Sequence, residues 1–204
     1  MSTPPRLVLG SRNKKKLGEL LQLLGDLPLD LTDLSPYPDA PEVEETGDTF
    51  EANARLKAAQ LAPVLGAWVL GEDSGLVVPS LGGAPGIFSA RYAGTHGDDA
   101  ANNAKLLREL AGKTGDARRA HYVSTAALAN PQGEVVAVVA GQCWGVIAEG
   151  GTGVGGFGYD PLFVIPEYHA SFGELSATVK NALSHRGRAM AQLRPLVRKW
   201  ILAG

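Results

Sequence analysis

Two hydrophobic periods organise the chain. Arg6 to Leu9 is a short apolar run that reads as a strand, and Gly10-Ser11-Arg12-Asn13 turns out of it. Leu17, Leu20, Leu21 and Leu24 then recur at spacings of three and four, which puts one apolar face on a helix that Gly25 stops. Leu27 to Leu34 is a short extended segment, followed by a proline-rich loop from Pro36 to Pro41. A second helix starts near Asp48 or Thr49, where Asp48 and Glu51 have capping-box-like spacing, and runs through an alanine-rich stretch to Pro63. Ala67 to Leu70 reads as a strand and Leu76 to Val78 as another, with Gly71-Glu72-Asp73-Ser74-Gly75 between them. A glycine loop from Leu81 to Gly86 leads to a third helix, capped by Asp98 and stopped at Gly112. His121 to Leu128 and Val135 to Val146 are β-rich and flank the turn Asn130-Pro131-Gln132-Gly133, so they form a hairpin. Leu162 to Ile165 is a short buried strand ending at Pro166. The last helix opens at Ser184, kinks at Pro195, and carries Ala189, Leu193, Val197, Trp200 and Ile201 as its core stripe.

Strands and helices alternate and are then joined by a long hairpin. That order predicts an α/β protein with a mixed rather than purely parallel sheet. Its 204 residues suit one domain, residues 1–204, as two closely packed lobes, and the glycine-rich connections suggest a cleft between them. With 45% hydrophobic residues the chain can build a full core. A formal net charge of −2 supplies no global basic field, so nucleic acid is not an expected partner. Positive charge is local instead, at Lys14 to Lys16, at Arg118 and Arg119, and along the last helix. No apolar run approaches a membrane span. Met1 to Pro5 shows no secretory signal, and the single Cys143 excludes an intrachain disulfide, so a soluble cytoplasmic protein is expected.

Gly153-x-Gly155-x-x-Gly158 matches the dinucleotide-binding spacing but not its context. A strand precedes it, yet Pro161 and another strand follow where a helix is required. A glycine loop between strands that carries Phe157, Tyr159 and Asp160 instead resembles a wall for a flat ligand, with aromatic faces to stack and a carboxylate to accept hydrogen bonds.

Four other clusters could carry chemistry, each ambiguous alone. Lys14, Lys15 and Lys16 fall in a first helical turn, where they oppose the macrodipole unless an anion such as a phosphate sits there. Glu44, Glu45, Glu72 and Asp73 are carboxylates on predicted loops and strand ends, and suit magnesium better than zinc, since the four His are scattered. Asn53 and Lys57 share a helix face and by themselves read as a surface pair. Lys180 and Ser184-His185-Arg186-Gly187 place basic groups at the start of the last helix, where they could donate to carbonyl oxygens of a ligand.

The order of these clusters is more specific than any one of them. Ser11-x-Asn13-x-x-Lys16, Glu44-Glu45-Thr46-Gly47, Asn53-Ala54-x-x-Lys57, Asp73-Ser74-Gly75, Ser89-Ala90-Arg91-Tyr92, Gly155-Gly156-Phe157-Gly158-Tyr159-Asp160 and Ser184-His185-Arg186-Gly187 follow one another along one chain. The series closely resembles the inosine triphosphate pyrophosphatase family of house-cleaning enzymes, from the first strand into the last helix. That resemblance implies two α/β lobes around a long mixed sheet with a central substrate cleft, usually in a homodimer. It implies hydrolysis of ITP, dITP and XTP to the monophosphate and pyrophosphate, with Mg²⁺ as cofactor. Ser11, Arg12, Asn13, Lys14, Lys15 and Lys16 would then meet the triphosphate with Lys57 in support, and Asn53 and Ser74 would line the site. Glu44 or Glu45 and Asp73 would hold the metal, with Asp73 as the base. Phe157, Gly158, Tyr159, Asp160, Lys180, His185 and Arg186 would form the purine pocket. The chain departs from many bacterial members in having Glu72 where they carry a first aspartate, and Thr178-Val179 where they carry acids.

Overall fold

A computed structural model describes residues 4–203; of the segment read for a secretory signal, Met1 to Thr3 lie outside the described residues. Among the described residues seven strands form one mixed sheet in the order β2-β1-β3-β4-β5-β6-β7. These are β1 (Arg6–Leu9), β2 (Asp30–Thr32), β3 (Trp68–Val77), β4 (Arg119–Ala129), β5 (Val135–Ile147), β6 (Phe163–Ile165) and β7 (Ala170–Ser171). β1 is parallel to both β2 and β3, whereas β5, β6 and β7 pair antiparallel, as a mixed sheet requires. The helices are α1 (Lys14–Leu24), α2 (Phe50–Leu65), α3 (Asp99–Glu109), α4 (Ala177–Leu183) and α5 (His185–Val197).

The chain divides into two compact units, with boundaries inside β3, β4 and β5. Unit 1 takes the described residues up to Asp73, Ser124–Gly141, and those from Arg186 on; unit 2 takes Ser74–Val123 and Gln142–His185. Within unit 1 the period-two alternation of the strands builds two cores. Leu7, Leu9, Leu70, Ala126 and Leu128 pack with Leu20 and Leu24 of α1 and Ala189, Met190, Leu193 and Val197 of α5. The intervening residues Val8, Val69, Ala127 and Ala129 pack with Ala54, Ala58, Leu61 and Ala62 of α2. Unit 2 has its own core, where Leu76, Val78, Leu106, Tyr122, Tyr159, Phe163 and Phe172 meet.

Several local expectations change. The helix cap before α2 is Thr49, whose hydroxyl accepts from Ala52 N–H at 3.1 Å, and Glu51 pairs with Arg55 instead of completing a box with Asp48. Pro63 lies inside the last turn of α2, and the helix continues to Leu65. The two short strands around Gly71 to Gly75 are one continuous ten-residue strand. A seven-residue helix, α4, precedes the last one; Ser176 caps it and Ser184 closes it. Beyond Pro195 the helix loosens into a π-turn at Arg198–Leu202, and Trp200 is 37% exposed rather than part of the core stripe. Leu21 likewise is 45% exposed on α1.

Gly71 explains how β3 and α2 approach so closely. A Cβ there would stand 2.1 Å from the Ala54 carbonyl oxygen and 2.6 Å from the Ala58 nitrogen, both backbone atoms that cannot rotate away. Gly71→Ala therefore lifts α2 from the sheet and destabilises the fold by about 3 kcal/mol. Urea denaturation measures this; a loss below about 1 kcal/mol would mean that the helix is not held there by backbone contact.

Candidate active site

The alternation of β3 sends its two neighbouring carboxylates to opposite faces of the sheet. Gly71 and Asp73 face α2, while Leu70 and Glu72 face the core formed by α1 and α5. The expectation that these acids lie on a loop or at a strand end is thus corrected: both sit mid-strand, and Glu72 is 1% and Asp73 6% exposed.

Glu72 is the centre of a buried charge cluster in unit 1. Ser124 Oγ donates to its Oε1 at 2.9 Å, Arg186 donates from Nε and Nη2 at 3.2 and 2.9 Å, and Lys16 Nζ lies 2.7 Å from Oε2. Arg186, 1% exposed, also pairs with Glu19. Burial alone would raise the Glu72 carboxyl, but Arg186 and Lys16 outweigh it and hold it well below its ordinary 4.5. Because the folded value is depressed, the stability this group supplies is present above the ordinary value and is lost as pH falls toward the folded one. Stability measured by urea denaturation should therefore fall steeply below about pH 4.5 in the parent and less steeply in Glu72→Gln. Equal slopes would contradict the pairing.

Asp73 is held from α2. Asn53 Nδ2 donates to its Oδ2 at 3.2 Å, and Asn53 Oδ1 accepts from Gly47 N–H at 2.8 Å. Lys57 Nζ reaches Glu45 Oε1 at 2.7 Å, the Glu72 carbonyl at 3.1 Å and Asp73 Oδ1 at 3.4 Å. Asn53 and Lys57 are not a surface pair: they are 1% and 8% exposed, one helical turn apart, and aimed at the same carboxylate. Burial raises the Asp73 carboxyl and Glu45 adds to it, with Lys57 opposing, so the net shift is upward. For Lys57 burial pulls downward, yet Asp73 and Glu45 prevail and keep it raised and charged.

Two carboxylates sharing one ammonium form an electron-rich position that accommodates further positive charge. Among the described residues no group of three or more His, Cys, Asp and Glu forms a protein-only metal cage. A cation that keeps water and substrate oxygens needs only one or two carboxylates, and Glu45 with Asp73 fits that demand. Glu45 converges on Lys57 beside Asp73, whereas Glu44 is exposed.

At the start of α1, Asn13 is the helix cap: its Oδ1 accepts from the N–H groups of Lys15 and Lys16 at 3.0 and 3.2 Å. Ser11 Oγ accepts from Asn13 N–H at 3.1 Å and shapes the turn. Lys14 and Lys15 are exposed in a first turn that holds no acid. Arg12 is engaged elsewhere, donating to the carbonyls of Tyr37, Pro38 and Ala40 and tying down the proline-rich loop. Ser74 is half-buried on β3 beside Asp73.

Unit 2 carries the glycine loop. Asp160, 3% exposed, accepts from Lys180 Nζ and from Phe157 N–H, both at 2.7 Å, and from the Tyr122 hydroxyl at 3.4 Å. Gly156 makes room for this, since a Cβ would fall 2.0 Å from Asp160 Oδ2. Lys180 Nζ stands 5.1 Å from the centre of the half-buried Phe157 ring. His185 stacks on Tyr122 with centroids 4.6 Å apart and planes at 11°. Tyr159 lies within the unit 2 core, with its hydroxyl donating to the Ser89 carbonyl at 2.8 Å.

The structure thus brings together Phe157, Asp160, Lys180 and, through Tyr122, His185. It assigns Arg186 to the Glu72 cluster of unit 1, and Tyr159 to the core. Glu19, Ser124 and Tyr122 escaped the sequence reading. Tyr122 and Ser124 are two apart on β4, a signal of a shared facing but not of their partners.

The Ham1 family matches residues 7–196 of the chain. A dITP/XTP pyrophosphatase of Rhodopirellula baltica is 56% identical over 184 residues, covering 90% of this chain and 88% of that protein. A dITP/XTP pyrophosphatase of Geobacter sulfurreducens is 49% identical, covering 93% and 94%. Among solved structures, a HAM1 protein from Coxiella burnetii superposes with a TM-score of 0.85 at 38% identity, covering 96% of this chain and 99% of that one. The nucleoside-triphosphatase / dITP/XTP pyrophosphatase of Mycobacterium abscessus does so with a TM-score of 0.74 at 44% identity, covering 95% and 100%.

Proposed function

Since the chain belongs to the Ham1 family, we propose that it hydrolyses the triphosphates of non-standard purines, ITP, dITP and XTP, to the monophosphate and pyrophosphate. The observation that carries this reading is Asp73, a buried carboxylate whose two oxygens are held by Asn53 and Lys57 with Glu45 alongside. Its raised proton affinity suits a group that takes a proton from water. Asp73 orients that water toward the α-phosphorus, and Asn53 fixes the carboxylate's rotation. Lys57, together with Lys14, Lys15 and Lys16, neutralises the triphosphate, and the Asn13 amide N–H donates to it. Lys16 does so from its ion pair with Glu72, so phosphate competes with a carboxylate for it. Glu45 and Asp73 are the residues that would hold Mg²⁺, which supplies charge neutralisation on the departing pyrophosphate when bound.

The purine is assigned to unit 2. Phe157 offers a face for stacking, and Lys180 and His185 offer donors to the 6-oxo group that distinguishes hypoxanthine and xanthine from adenine. Asp160 orients Lys180 and the Phe157 backbone, and Tyr159 anchors the loop from within the core. Arg186 reaches this reading indirectly, through the Glu72 cluster next to Asp73 on β3. A cytoplasmic homodimer completes the proposal on the strength of the resemblance, and light scattering at twice the subunit mass would support the dimer.

Assaying pyrophosphate release from a panel of dITP, XTP, GTP and ATP with Mg²⁺ tests the function. The reading expects dITP and XTP to be turned over far faster than ATP. Binding of dITP without pyrophosphate release would favour a nucleotide sensor on the same fold and overturn it.

A further inference from the structure

Helix α3 holds the glycine loop from outside, at one residue and on both sides of it. Gly158 N–H donates to Asp99 Oδ2 at 2.9 Å, and the Gly158 carbonyl accepts from Asn103 Nδ2, also at 2.9 Å. Asp99 and Asn103 are four apart on an eleven-residue helix, so they share a face and reach the loop as a pair. Gly158 has φ +62°, a left-handed conformation that glycine adopts without strain. A Cβ at Gly158 would meet nothing within 4 Å, so it is the left-handed backbone and not crowding that calls for glycine there. The preceding residue is Phe157, whose own N–H is bound by Asp160 at 2.7 Å. Two anchors, Asp160 on one side and the α3 pair on the other, therefore fix the backbone from which the Phe157 ring projects.

We propose that Asp99 and Asn103 are positioning residues for base recognition: by fixing both peptide groups of Gly158 they set the pose of the Phe157 face against which the purine stacks. This rests on the purine being bound at Phe157, as argued above. The pair binds the backbone beside Phe157, so its effect falls on base binding and base discrimination and not on the chemical step. Asp99 is also the first helical residue of α3, where a negative charge favours the helix whatever it binds. The two roles separate in the variant Asp99→Asn, which keeps an acceptor for Gly158 N–H but drops the charge.

The test compares parent, Asp99→Ala, Asp99→Asn and Asn103→Ala by steady-state kinetics with dITP and dATP. Inorganic tripolyphosphate serves as a base-free competitive inhibitor. Each alanine variant should raise KM for dITP about 10-fold, as expected from one lost hydrogen bond at a binding loop. Turnover at saturation should stay within about 2-fold, since the chemical step is untouched. The preference for dITP over dATP should narrow and the inhibition constant of tripolyphosphate should not move. Asp99→Asn should behave as the parent. Unchanged KM and unchanged base preference in both alanine variants would overturn the proposal. So would equal weakening of dITP and tripolyphosphate, or an Asp99→Asn variant as impaired as Asp99→Ala, since both mark a general structural role. Failure of the parent to release pyrophosphate from dITP would instead overturn the functional reading itself.

Discussion

Asp73→Asn lowers the turnover of dITP and XTP by about 10²–10⁴-fold, the range expected when a positioned general base is removed. The same variant melts no lower than the parent. Its folded carboxyl is shifted upward, chiefly by burial, so the charged form present at neutral pH is a cost to the fold that a neutral amide relieves. The stability tied to this group is complete when it is protonated and declines as pH rises through the folded value. Asn53 still finds an acceptor in the substituted side chain, and Lys57 retains Glu45 and the Glu72 carbonyl. Loss of activity with unimpaired stability is the signature of a group kept ionised for chemistry. An Asp73→Asn enzyme retaining more than about a tenth of parental turnover would remove Asp73 from the base role.

Arg186→Met is the expected large stability effect, a loss of about 3–5 kcal/mol in urea denaturation. Glu72 and Arg186 have side chains 0% and 2% exposed, and methionine leaves that carboxylate buried with Lys16 as its remaining cation. The penalty comes from a buried carboxylate that has lost one of its two cations and not from lost volume. The double variant Glu72→Gln with Arg186→Met should accordingly recover much of the loss, because the amide needs no counter-charge. Additive losses in the double variant would show that the two residues do not act as a pair.

The elements were legible where a helical period, a β-rich run or a capping residue marked them. Leucines at three and four marked α1, β-rich runs on either side of Asn130-Pro131-Gln132-Gly133 marked the hairpin of β4 and β5, and Asp98 caps α3 as expected. β3 was not legible as one strand, because Gly71-Glu72-Asp73-Ser74-Gly75 has the composition of a loop. Its polar residues are tolerated in a sheet centre only because Lys16, Arg186, Ser124, Asn53 and Lys57 satisfy them, and Gly71 is there to admit α2. None of that is local in the chain: Arg186 lies 114 residues from Glu72. α4 escaped because seven residues carry too little apolar periodicity to be seen, though Ser176 was its available signal.

The candidate site follows the same division. The residue types at Ser11 to Lys16, Glu44 or Glu45, Asp73 and Phe157 to Asp160 were readable from order and spacing. Their division of labour was not. Asn13 and Ser11 shape the helix start, Arg12 ties down a loop, and Tyr159 belongs to a core. Burial decides these roles, and burial is a property of the whole fold.

The most direct measurement of the central claim is product analysis of dITP hydrolysis in ¹⁸O-labelled water with Mg²⁺. Attack on the α-phosphorus predicts dIMP carrying one ¹⁸O and pyrophosphate carrying none. Label in the pyrophosphate, or products of dIDP and inorganic phosphate, would contradict it.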